Sequence, residues 1–182
     1  SDGENSLTVL AEHLDWDSNH FGFGVGKISH ILFKDSKNSK FTIKALSLFV
    51  EEVKKIGIKY IICGLDVRKG AGIQGLTAVG FIPIEIRAHY FIDLKDFSYP
   101  KRFKVRLANP DDIESLAETA ANTKNPYDRF FGDPTLDVLV VKELMRLWVR
   151  NSITTSFADG VLVPDTGNIN RISPKAFCTF KT

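Results

Sequence analysis

The 182-residue sequence predicts an α/β protein built as two mixed α/β subdomains. Strand-like and helix-like periodicities alternate through the first hundred residues, a polar, proline-marked break (KDFSYPKRFK, 95–104) interrupts them, and the alternation then restarts. The expected domains are therefore 1–98 and 103–182.

LTVLAEH (7–13) and VGKISHILF (25–33) are β-branched and alternating, and read as neighbouring strands joined by an aromatic, glycine-rich connection. In that connection Trp16, Phe21 and Phe23 are expected to pack, while Gly22, Gly24 and Gly26 take conformations other residues avoid. FTIKALSLFVEEVKKI (41–56) sets Ile43, Leu46, Phe49, Val50, Val53 and Ile56 on one helical face, with Ser39 or Lys40 near its start and Gly57 past its end. KYIICGLDV (59–67) is a nearly continuous apolar run of strand length, as in a strand covered on both faces. GAGIQGLTAVGF (70–81) predicts a short helix ending at Gly80, its glycines lowering helix propensity, and FIPIEIRAHYFIDL returns as one or two strands.

In the second half, Val105 to Leu107 is extended, Asn109 is an N-cap, Pro110 takes the first helical position, and Asp111 and Asp112 sit in the first turn beside the positive helix end. NTKNPYDRFFGDPTL is a loop dense in turn residues and aromatics. DVLVVKELMRLWVRNSI (137–153) is a second helix with Val140, Val141, Leu144, Leu147 and Trp148 on its apolar side. The remainder predicts two strands joined by the turn chemistry of PDTGN, with Pro174 at the edge of the second.

Lysine and arginine (24) nearly balance aspartate and glutamate (22) and are spread along the chain, so nucleic acid is not the expected partner. Cys63 and Cys178 lie among apolar, strand-like residues and are expected as buried free thiols of a reducing compartment. No apolar run reaches membrane-spanning length and the N-terminal residues lack a signal pattern, so a cytoplasmic location without membrane association is expected.

The run LDWDSNHFGFGVGKI fails as a phosphate loop: Phe21 stands where a Walker loop needs its first glycine, Ile28 where it needs a hydroxyl, and a strand follows instead of a helix. His13, His20, His30 and His89 show no metal spacing, and no nucleophile motif brings serine, histidine and aspartate together. The loop around Tyr127, Arg129 and Phe130 offers ring faces and a guanidinium on a connection between helices, the best ligand-contacting candidates in the chain.

Several segments, taken in order, resemble the dTDP-fucosamine N-acetyltransferase group of the GNAT (acetyl-coenzyme A dependent N-acetyltransferase) superfamily. LDWDSNHFGFGVGKI is similar to that group's LDWDSxFFG opening, and GLTAVGFIPIEIRAHYFIDL resembles its LxxxGF helix and following strands. VRLANPDDIESLAETA resembles the first strand and helix of a GNAT domain. YDRFFGDPTLDVLVVKELMRLWVRNSI resembles its SRF segment and the helix ending in WIxN, and ADGVLVPDTGNINRISPKAFCTFKT its next strand pair. The resemblance spans nearly the whole chain; the WDS-FG run and the RF-to-W-N spacing are its most distinctive parts.

The resemblance implies acetyl transfer from acetyl-CoA to a small-molecule amine acceptor, the amine of a nucleotide-linked amino sugar, with substrate contacts at Tyr127, Arg129, Phe130, Trp148 and Asn151. It also implies a Q/R-x-x-G-x-G/A turn for the coenzyme pyrophosphate and a later general-acid tyrosine, neither of which has a counterpart before Thr182, so no catalytic residue is assigned. The second domain is accordingly expected as an incomplete GNAT fold, truncated and inactive as it stands, its open sheet edge favouring a homo-oligomer such as a dimer. The alternative expectation is a non-catalytic binding or assembly module derived from the same fold.

Overall fold

A computed structural model describes residues 6–34, 38–93, 95, 97–98, 103–123, 125, 128–165, 167 and 174–182. The protein is mixed α/β, as its periodicities predict, and divides into two compact units, Ser1–Pro83 and Ile84–Thr182.

The first unit holds a three-stranded sheet of β1 (Leu7–His13), β2 (Gly24–Phe33) and β3 (Ile58–Cys63), in that order. β1 runs antiparallel to β2, from Leu7 opposite Phe33 to His13 opposite Gly26, with an irregularity at Leu10/Ala11. β2 and β3 are parallel, which requires a crossover, and α2 (Ser39–Lys55) supplies it. The α2 N-cap is Asn38, one residue before the expected start, whose side chain accepts the Phe41 N–H at 3.1 Å. Leu46 of α2 packs with Ile28 of β2 and Leu76 of α3 (Gly70–Ala78) to form the core. Thr42 is fully buried beside them, its hydroxyl donating to the Asn38 carbonyl at 2.9 Å.

The connection between β1 and β2 is not purely a glycine turn. Asp15–Phe21 forms a helix, α1, with Asp15 and Asp17 in the first turn where the helix end favours anions, closed by Gly22 at φ 73°. Gly22 alone of the three glycines takes the left-handed conformation; Gly24 and Gly26 are strand residues of β2. The aromatics do pack: Phe21 stacks on Phe23 at 5.7 Å and Trp16 on His20 at 6.1 Å.

The segment 81–93, expected as one or two strands, enters no sheet: among the described residues it makes no ladder hydrogen bond, and its alternating pattern is displayed unpaired.

The second unit runs β4 (Val105–Leu107), a 3₁₀ turn (Pro110–Asp112), α4 (Ile113–Asn122), α5 (Val138–Thr154), β5 (Gly160–Pro164) and β6 (Cys178–Phe180). Its sheet is antiparallel in the order β4-β5-β6. Leu116, Val149, Val161 and Val163 form the core between the helices and β5. Asn109 caps the first turn through the Asp111 N–H at 3.0 Å, and Asp112 returns a bond from the Asn109 N–H at 2.9 Å, a reciprocal capping box. α5 is capped by Asp137, which accepts the Leu139 N–H at 2.7 Å. Its buried side is Val141, Leu144, Met145, Val149 and Ser152, so Trp148 lies at the margin of that face. On the outer side Arg146 pairs with Glu118 at 2.7 Å and Arg150 with Glu114 at 3.0 Å, exposed pairs that orient the two helices more than they stabilise them.

Pro174 does not border β6. It is buried four residues earlier, where its carbonyl accepts the Ser115 hydroxyl at 3.1 Å. Parts of the expected PDTGN turn (166 and 168) and of the 95–104 break (96 and 99–102) lie outside the described residues. Both cysteines are free thiols, Cys63 half-buried and Cys178 exposed rather than buried. Burial pushes the Cys63 thiol up to about 11, so it is protonated at neutral pH. Among the described residues no helix is long and apolar enough to cross a membrane.

Candidate functional site

α4, α5, the turn after α5 and the approach to β6 enclose a groove of about 680 Å³ in the second unit. Thr119 of α4, Thr123 at its C-cap, and Trp148 and Ser152 of α5 line it, together with Phe157, Phe177 and Phe180. Trp148 meets Phe157 edge to face, ring centroids 6.1 Å apart, and remains 44% exposed. The Ser152 hydroxyl donates to the Trp148 carbonyl at 2.8 Å, leaving its oxygen as an acceptor toward the groove. Among the described residues Lys175 and Lys181 are the charged groups that line it. An apolar, aromatic trough with a few hydroxyls and two cations suits an organic ligand carrying negative charge.

Of the residues assigned to substrate by sequence, Trp148 lines this groove, while Arg129, Phe130 and Asn151 do not. Phe130 is only 7% exposed, with the Arg129 guanidinium 4.4 Å from its ring centroid. Asp128 fixes that loop by accepting the Phe130 and Phe131 N–H groups at 2.7 and 2.9 Å. The Phe130 ring belongs to packing instead of an open connection. The Asn151 carbonyl accepts the Thr155 N–H at 3.0 Å at the end of α5. Tyr127 lies outside the described residues. Phe157, Phe177, Phe180 and the two lysines were not singled out by sequence; their convergence depends on how β5 meets β6, which no local pattern encodes.

The first unit does bring serine, histidine and aspartate together, against the sequence expectation. Asp15 Oδ1 lies 2.6 Å from His13 Nδ1, and Ser18 Oγ lies 3.1 Å from His13 Nε2. The relay order is that of a nucleophilic triad, but Ser18 Oγ also accepts the Val25 N–H at 2.8 Å, and the Asp15 side chain is 89% exposed. The cluster ties α1 to both flanking strands on an open surface, where no water-excluded acyl site surrounds it.

Gly70, Gly72 and Gly75 carry a Gly-x-Gly-x-x-Gly spacing at the start of α3, after β3, where a pyrophosphate loop belongs. Packing uses Gly72 and Gly75 instead. A Cβ on Gly72 would come 2.7 Å from Leu65 Cδ2, and one on Gly75 would come 2.7 Å from Thr42 Cγ2. The glycines in the left-handed region, Gly22, Gly57, Gly80 and Gly167, follow α1, α2, α3 and β5, so among the described residues none presents N–H groups at a helix start. Gly72 and Gly75, taken up by packing, therefore do not form an open cradle for the pyrophosphate of acetyl-CoA. Among the described residues no three of histidine, cysteine, aspartate and glutamate come together to hold a metal ion.

Comparison with protein-family models, with curated proteins and with solved structures finds no match to this chain.

Proposed function

We propose that the chain is of the GNAT N-acetyltransferase kind, with acetyl-CoA as donor and the amine of a nucleotide-linked amino sugar as acceptor. One observation carries the reading: the second unit runs strand, capped helix, aromatic loop, tryptophan-bearing helix and antiparallel strand pair, the order of the segments that resemble a GNAT domain. The groove beside Trp148 is the acceptor wall; its aromatic rings suit a nucleobase and its two lysines a diphosphate. The enzyme works in the cytoplasm, where two free thiols persist.

The 182 residues contain no Q/R-x-x-G-x-G/A sequence, and on this reading they do not hold acetyl-CoA or turn over alone. Calorimetric titration of the chain with acetyl-CoA should give no saturable heat in the micromolar range; micromolar binding would contradict this assignment of the coenzyme site. The second reading, a non-catalytic assembly module, is favoured by the unpaired apolar segment that begins the second unit.

A further inference from the structure

The segment 84–93 has the sequence pattern of a strand but enters no sheet. Ile84, Ile86, Ala88, Tyr90 and Ile92 occupy one face and Glu85, Arg87, His89, Phe91 and Asp93 the other, the period-two pattern of a strand with one buried side. Neither side is buried: Ile86 is 89%, Tyr90 92% and Phe91 99% exposed. Among the described residues none of its backbone groups enters a ladder bond, so it offers a complete set of donors and acceptors to an incoming strand. The Asp93 carboxylate accepts the Lys95 N–H at 2.9 Å and ends the extended run in a turn.

The charge order selects the incoming strand. From Arg87 to Asp93 the sequence at alternate positions on the polar face is Arg87, His89, Phe91, Asp93, and this series is complementary to its own reverse. When two copies run antiparallel about a two-fold axis at Tyr90, Arg87 opposes the other copy's Asp93 and His89 lies against Phe91. Symmetry makes each of these pairs twice. The apolar faces then set Tyr90 against Tyr90 and Ala88 against Ile92. A parallel pairing would put every charge opposite itself, an axis at Arg87 would oppose two guanidiniums, and an axis at Ile86 would match only Glu85 with Arg87 while placing Pro83, which has no N–H, in the ladder.

We infer that 84–93 is a self-docking strand: two copies of the chain join by antiparallel pairing of this segment about Tyr90, satisfying its open backbone edge. Glu85, now 2.6 Å from Arg87 of its own chain, shares that guanidinium with the incoming Asp93. The inference is independent of the proposed acetyltransferase activity, and either can fail without the other.

Sedimentation of four forms of the 182-residue chain tests it: unaltered, Arg87→Asp, Asp93→Arg, and the double exchange. Both substitutions are at exposed side chains, and circular dichroism checks that folding is retained. The unaltered chain should dimerise, each single reversal should weaken the dimer about tenfold by setting like charges opposite each other twice, and the double exchange should restore it. A second measurement uses Cys63→Ser and Cys178→Ser as background: Tyr90→Cys should form an intermolecular disulfide on mild oxidation and Ala88→Cys should not. A monomeric unaltered chain, single reversals without effect, a double exchange that fails to rescue, or cross-linking at 88 and not at 90 would each overturn the inference.

Discussion

Replacing Gly24 by alanine is expected to destabilise the first unit by about 2–4 kcal/mol. A Cβ at this position would lie 2.4 Å from the Gly57 carbonyl oxygen and 3.1 and 3.2 Å from the next backbone atoms. All three obstacles are main chain, so no side-chain rotation relieves them. The clash falls where Gly24 opposes Ile58, at the start of the parallel pairing that α2 makes possible, and Gly57 is itself held at φ 86°. Urea unfolding measures the cost, with Gly26→Ala as control. A Cβ at Gly26 meets nothing closer than 3.4 Å, and the control should lose well under half as much. Equal stability of the two variants would show that the β2 and β3 backbones are not so close.

Asp112→Asn should cost the second unit about 2–3 kcal/mol at neutral pH. Asp112 is 5% exposed, takes both Arg106 guanidinium nitrogens at 2.6 and 2.8 Å, and also accepts the Asn109 N–H. One carboxylate thus joins β4 to the start of α4, and an amide of the same shape keeps a single acceptor and no charge. The Arg106 hydrogen bonds hold the carboxyl below its usual value, outweighing the burial that would raise it. A carboxyl depressed in the folded state stabilises above its unfolded pKa, and that contribution is lost as pH falls through the folded one. The difference between unaltered chain and variant should therefore be full above about pH 5 and shrink below about pH 4. A difference that is constant from pH 7 to pH 2.5, on this order-of-magnitude scale, would mean the charge is not what matters.

Much of this architecture was legible in local chemistry. Strands at 7–13 and 105–107 and helices at 39–55 and 138–154 follow from alternation, helical spacing, and caps such as Asn109 and Asp137, all of which act within a few residues. The failures share one cause. Asp15–Phe21 is helical because Gly22 can close it and the Ser18 side chain reaches Val25, and 81–93 stays out of a sheet although its pattern is that of a strand, because pairing depends on a neighbour and not on the segment. Gly72 and Gly75 looked like a weakness of α3, yet their missing side chains are what let it approach Thr42, Leu46 and Leu65.

The site was less legible than the fold. Trp148 could be singled out on α5, but its partners Phe157, Phe177 and Phe180 come from a turn and a strand edge that meet it only after β5 and β6 pair. Phe130, chosen as an exposed ring, is core because Asp128 turns the loop inward. His13, Asp15 and Ser18 are local in sequence and could have been found by placing 15–21 on a helix.

The proposal that the Trp148 groove receives a nucleotide-linked amino sugar can be tested directly by tryptophan fluorescence. The chain has two tryptophans, so Trp16→Phe leaves Trp148 as the only reporter. Titration with a dTDP-linked amino sugar should give a saturable change in Trp148 emission at submillimolar ligand, diminished when Lys175 and Lys181 are replaced by alanine. Emission that stays flat through the millimolar range, from a chain that circular dichroism shows to be folded, would contradict the assignment of this groove.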